Sequence, residues 1–206
     1  MVETQLRRRN IRDERVLRAM EVVPREEFVP DRDRDDAYDD TPVGIGYGQT
    51  ISQPYMTALM AQELELTGVE RVLEVGAGSG YAAAVLSLLA REVVAVEIIP
   101  ELAEQARCNL ERTGYAGNVQ VVASDGSLGY PELAPYEAIS VAAGAPAVPG
   151  QLLDQLADPG RLVIPVGSLD EQELTVKTRR DGRVQTRLAG RCRFVPLRGG
   201  LGWKLV

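Results

Sequence analysis

Residues 71–97, RVLEVGAGSGYAAAVLSLLAREVVAVE, read as strand, glycine turn, helix and second strand, with a carboxylate closing the second strand. The apolar run Val72, Leu73, Val75 enters a turn whose Gly76, Gly78 and Gly80 let backbone come close to a ligand. A helix starting near Tyr81 is expected to aim its free amides the same way. Glu97 falls 21 residues after Gly76, a distance suited to a carboxylate that accepts both hydroxyls of a ribose. The spacing is GxGxG, because Tyr81 occupies the place of the third glycine in the GxGxxG dinucleotide fingerprint. A bulky residue there disfavours the tight helix–strand packing of the NAD form. A nucleoside site follows, with S-adenosylmethionine the leading ligand, NAD(P) the next, and a purely structural turn the third reading.

Outward from this stretch, strand and helix patterns alternate as a doubly wound α/β fold requires. Strands are expected over 71–75, 93–97, 119–123, 138–142 and 161–166, and helices over 81–90, 100–113 and 149–157. Gly114 and the pair Pro159-Gly160 supply helix stops. Beyond Gly167 the pattern becomes alternating β over 173–178, 183–188 and 191–197, with Arg180-Asp181-Gly182 as a hairpin turn. An antiparallel edge therefore completes a mostly parallel sheet. On the N-terminal side, a helix over 3–22 carries Val16, Leu17 and Met20 on one stripe and ends at Pro24. Residues 31–40, DRDRDDAYDD, read as a solvated charged loop. Pro54 suits the first turn of a helix whose Met56, Leu59, Met60 and Leu64 share a face, with Ser52 just outside its N-terminus.

Asp125-Gly126 and the segment AAGAP at 142–146 follow the third and fourth strands, at the carboxyl ends where open α/β sheets take ligands. A carboxylate at 125 can accept from an adenine amino group, and the small residues after the fourth strand leave room for a second substrate.

With 206 residues, the chain is expected to form one domain, with 1–55 as a helical cap and active-site loop and 56–206 as the α/β core. A formal charge of -7 opposes a sequence-independent grip on nucleic acid. Cys108 and Cys192 make neither a disulfide framework nor a metal cluster. No apolar run approaches membrane-spanning length and the N-terminus is charged, so a cytoplasmic protein without a membrane partner is expected. The absence of histidine removes Ser-His-Asp and Cys-His hydrolases and histidine-based metal sites. It leaves methylation of a carboxylate untouched, since that nucleophile is already ionised at neutral pH and needs no base.

The chain resembles the protein-L-isoaspartate (D-aspartate) O-methyltransferase family almost end to end. The most specific motif is GYGQTISQPYM at 46–56, joined by NIRDERVLRAMEVVPREEFVP at 10–30, LEVGAGSGY at 73–81, SDGSLGYPELAPYEAI at 124–139, RLVIPVG at 161–167 and FVPLRGGLGW at 194–203. The resemblance implies a Rossmann-like S-adenosylmethionine-dependent methyltransferase fold with an altered order of its last strands. It implies methyl transfer to the free carboxylate of L-isoaspartyl, and less readily D-aspartyl, residues in damaged proteins and peptides. The ester then closes to a succinimide, whose hydrolysis returns some normal aspartate.

By the same resemblance, Ser52 is the active-site serine that orients the acceptor. The cofactor would be held by Ile51, Ser52, Gly76, Ala77, Gly78, Ser79, Gly80, Glu97, Ile98, Asp125 and Gly126. The acceptor would lie near Thr50, Ser52, Ala142 and Val195, with no metal involved. The chain departs from the family pattern at Asn10, Ala77, Ser124, Glu137 and Ala142. The first three are expected to change little, while Glu137 for a usual aspartate and Ala142 for a usual threonine are expected near the mouth of the fourth strand and to bear on acceptor choice. A methyltransferase acting on ordinary aspartate in a dedicated peptide and a non-catalytic S-adenosylmethionine-binding adaptor are the alternatives. Taken by itself, a serine before Pro54 would read as a helix cap.

Overall fold

A computed structural model of the chain describes residues 1–204. Helix α1 (Glu14–Val22) leads through short turns into a hairpin of β1 (Val43–Gly46) and β2 (Gln49–Ile51), then helix α2 (Pro54–Glu63). The core continues as β3 (Arg71–Val75), α3 (Tyr81–Ser87), β4 (Glu92–Glu97), α4 (Pro100–Thr113), β5 (Val119–Ala123), β6 (Tyr136–Val141), α5 (Gly150–Asp154) and β7 (Leu156–Gly167). Strands β8 (Gln172–Arg180) and β9 (Arg183–Cys192) complete it.

The sheet order is β5-β4-β3-β6-β7-β8-β9. Pairing is parallel from β5 through β7, and β8 and β9 close the sheet antiparallel. Because β3 lies between β4 and β6, the chain winds outward to β5 and then returns to the other side of β3. That reversal opens a crevice beyond the carboxyl ends of the central strands. Alternation along β3 sends Leu73 and Val75 into one core with Val94, Val96, Ile139 and Val141. Val72 goes into the other core, with Val85 of α3 and Leu102 and Ala106 of α4.

The structure differs from the expected elements where tertiary contacts outcompete local pattern. The helix expected over 3–22 is interrupted: short turns span Val2–Leu6 and Arg7–Arg9, Asn10 takes a left-handed φ of 67°, and α1 begins only at Glu14. Asp13 caps α1 by accepting from the Arg15 amide at 2.9 Å, while Gln62 of α2 accepts from the amides of Arg12 and Asp13. These side chains give the backbone partners outside a helix. Helix α3 stops at Ser87 rather than 90, where Asn118 donates to the carbonyls of Ser87, Ala90 and Arg91.

The helix expected over 149–157 is five residues long, and Pro159-Gly160 lies inside β7 instead of stopping a helix. The Tyr136 amide donates to the Gln155 carbonyl and Leu156 pairs with Tyr136, drawing the chain into the sheet. The register then jumps to Ala138 opposite Arg161, so residues 157–160 bulge from the ladder. The segments 183–188 and 191–197 are not two strands: β9 runs to Cys192, and the chain then leaves the edge to lie beside Gly144. The hairpin of β1 and β2 had no counterpart in the expected elements. In the charged loop, Ala37 is fully buried and Asp40 accepts from the Tyr55 amide at the start of α2, so solvation describes only part of it.

Candidate active site

Two cavities meet above the crevice. The first is an open hollow of about 760 Å³, open solvent included. Its floor is the turn between β3 and α3 with the ends of β3 and β4, and its walls are residues 49–52 and 195–198. Of the cofactor residues expected from sequence, Ile51, Ser52, Gly76, Ala77, Gly78, Ser79, Glu97, Ile98 and Gly126 line it. Gly80 and Asp125 do not. Gly80 serves the turn's packing: at φ +87° it lies against the Ala106 backbone of α4, where a Cβ would meet the carbonyl oxygen at 3.2 Å. The Asp125 carboxylate accepts from the Ser127 amide and hydroxyl and from the Gly200 amide at 2.7 Å, tying the C-terminal segment beside the cavity.

Glu97 is 5% exposed and accepts from the Gly78 amide at 2.9 Å and the Ile99 amide at 3.0 Å, one on each oxygen. Each oxygen keeps capacity for another donor, the pair a ribose diol requires. The three glycines of the turn already have their amides engaged within the protein. Gly76 and Ala77 donate to the Val96 carbonyl, Gly78 to Glu97, and Gly80 to the Ala77 carbonyl. The glycines therefore offer space rather than donors.

The second cavity is a groove on the acceptor side, bounded by Arg9, Tyr55, Arg191, Arg193 and Phe194 among others. Thr50, Ser52, Ala142 and Val195 line both cavities. The residues expected to hold the acceptor thus stand where the two spaces join. Val195 is placed there by backbone bonds from the Gly144 amide to its carbonyl and from the Leu197 amide to the Gly144 carbonyl. Ser52 is not a helix cap: Gln53 occupies the N-cap of α2 without a side-chain bond, and among the described residues the Ser52 hydroxyl has no hydrogen-bond partner. Glu137 is far from this junction. It is the second residue of β6, near the end of the strand opposite Ala142, and accepts from the Arg71 amide at 2.7 Å, so only Ala142 of these two departures touches the site.

Two buried ionisable side chains lie beneath the junction. Glu74, 1% exposed, faces a small cavity shared with Ser52, Thr57, Ser140 and Ala142, and its Oε2 has no partner among the described residues. Burial, reinforced by the Glu97 charge, raises its pKa well above the ordinary carboxylate value, so the neutral acid is favoured. A charged residue inside the run RVLEV was a visible signal. Arg25, fully buried, donates to the carbonyls of Ala37 at 2.6 Å and Ser52 at 2.7 Å and lies 4.8 Å from the Tyr81 ring centroid. Nothing in VVPREEF distinguishes it from a surface arginine.

The family model described as Protein-L-isoaspartate(D-aspartate) O-methyltransferase (PCMT) matches residues 1–202. Protein-L-isoaspartate O-methyltransferase 2 of Marinobacter nauticus is 58% identical over 205 residues, covering 98% of this chain and 93% of its own length. Protein-L-isoaspartate O-methyltransferase of Methanoculleus marisnigri is 52% identical over 204 residues, covering 99% and 92%. Among solved structures, a protein-L-isoaspartate O-methyltransferase is similar with a TM-score of 0.82 at 32% identity, over 95% of this chain and 64% of that longer one. A Plasmodium falciparum protein of the same designation, in complex with S-adenosyl-L-homocysteine, gives a TM-score of 0.80 at 28% identity over 93% and 94%.

Proposed function

The chain belongs to the protein-L-isoaspartate (D-aspartate) O-methyltransferase family, and from that premise we propose that it methylates the free carboxylate of L-isoaspartyl, and less readily D-aspartyl, residues in damaged proteins. S-adenosylmethionine, when bound, supplies the methyl group and becomes S-adenosylhomocysteine. The observation that carries the reading is the junction: Thr50, Ser52, Ala142 and Val195 border both the nucleoside hollow and the groove.

The residues present fit the cofactor. Glu97 offers a carboxylate with two remaining acceptor positions to a ribose, and Gly76 and Gly78 leave the floor of the hollow without side chains. Ile51 and Ile98 add apolar wall.

On the acceptor side the chain has no proton to remove, because a carboxylate with a reference pKa of about 4 arrives ionised. Its task is orientation. The unpartnered Ser52 hydroxyl donates to the carboxylate and turns one oxygen toward the hollow, and the Val195 backbone bounds the opposite side. Holding two reactants in line supplies about 7–11 kcal/mol at best, enough for this chemistry to do without a general base. The ester product closes to a succinimide without the enzyme, and partial return to aspartate makes the net outcome repair.

Matched peptides carrying isoaspartate or aspartate at one position, incubated with methyl-labelled S-adenosylmethionine, test the reading. Label is expected in the isoaspartyl peptide and nearly none in its twin, since an added backbone methylene displaces the carboxylate that the junction must align. Equal labelling would instead make ordinary aspartate the acceptor.

A further inference from the structure

Arg25 is a buried cation among the described residues without a carboxylate partner. Its exposure is 0%, it forms no salt bridge, and Nη1 makes no hydrogen bond. A desolvated charge is costly when its donors are incompletely satisfied. Its geometry gives it another use. Nε holds the Ala37 carbonyl, Nη2 holds the Ser52 carbonyl, and the guanidinium carbon lies over the Tyr81 ring. Tyr81 opens α3 directly after the glycine turn and lines the cofactor hollow. Burial also pushes the guanidinium below the usual arginine value, which marks the energetic cost of keeping a charge at this place.

We propose that Arg25 is a positioning residue of the methyl transfer, which fixes the Ser52 backbone through its carbonyl and so aims the Ser52 hydroxyl at the acceptor from a base shared with the cofactor turn. The inference rests on the orienting role of Ser52. A carbonyl held by a guanidinium that is itself anchored on a second carbonyl cannot rotate about the adjoining backbone dihedrals without breaking a charge-assisted hydrogen bond, and the hydroxyl has no other tether among the described residues. Lysine could keep the charge and reach one carbonyl, but it lacks the planar fork that spans both.

A double-mutant cycle tests it, with turnover on an isoaspartyl peptide measured at saturating cofactor. Arg25→Lys is expected to lower kcat/KM by about tenfold with wild-type Ser52, yet by less than about twofold when Ser52 is already alanine. Cofactor affinity by calorimetry should change by less than about threefold in both backgrounds, a split that general loosening of the fold would not produce. Equal Arg25→Lys effects in the two backgrounds would overturn the inference while leaving Ser52 as the orienting group. A fully active Ser52→Ala enzyme would instead remove the reading on which it rests. Should Arg25→Lys fail to fold, wild-type protein labelled with ¹⁵N-arginine gives a second measurement. The Arg25 guanidinium signals should shift when isoaspartyl peptide is added to the cofactor-loaded enzyme, and unchanged signals at saturating peptide would overturn the proposal.

Discussion

Single residues at the junction are separable because each holds a different partner. The Ser52 hydroxyl is free among the described residues and belongs to no helix cap, so Ser52→Ala removes one orienting hydrogen bond and little of the fold. Turnover should fall by about tenfold to a few hundredfold with cofactor affinity and melting temperature nearly unchanged, as read by labelled-methyl assay and calorimetry. Glu97 works on the other reactant. Its two oxygens bridge Gly78 and Ile99 while facing the hollow, and Glu97→Ala should weaken S-adenosylhomocysteine binding by about 1–3 kcal/mol in calorimetry. Glu97 was legible in the sequence because its role depends on spacing along one βαβ unit. Arg25 was not, since its burial comes from Ala37, Ser52 and Tyr81, which only the folded chain brings together.

At the scale of elements, the hairpin of β1 and β2 sets how closely the glycine turn is covered. Gly78 has φ +54°, and a Cβ there would stand 3.1 Å from Cδ1 of Ile45 in β1. Gly78→Val would strain the turn and push the hairpin outward, so cofactor binding should be lost in calorimetry while far-UV circular dichroism keeps its native shape. The cap of α1 gives a contrasting case. Asp13 touches neither cavity, and Asp13→Ala should cost about 1 kcal/mol of unfolding free energy in urea titrations without altering turnover below the melting range. The core strands were readable because β3, β4 and β5 are short, mostly apolar runs rich in β-branched residues, interrupted only by Glu74 in β3 and Gln120 in β5. The break at Asn10–Asp13 and the short α5 were not, because the deciding bonds come from Gln62 and Tyr136, distant along the chain.

For the whole molecule, the absence of histidine makes one buried acid visible in the pH dependence of stability. Glu74 is held neutral by burial, with the Glu97 charge adding to the effect, so its folded pKa lies well above the ordinary 4.5. Between those two values the folded chain keeps a proton that the unfolded chain has released. Stability contributed by the protonated group is therefore fully present below about pH 4.5 and declines as pH rises, by up to about 1.4 kcal/mol per pH unit for one proton. Other shifted carboxylates do not mask this. Glu14, bonded to Arg7, and Glu70, partly desolvated yet held down by the hydroxyl and amide of Thr67, are both lowered, so their effect changes below the window. Urea unfolding of wild type and Glu74→Gln between about pH 5 and 7.5 separates the contribution, because glutamine cannot ionise. The variant should gain on wild type steadily as pH rises. Parallel stability curves would mean that Glu74 is ionised in the folded chain, with an unseen cation or solvent reaching the cavity beneath Ser52.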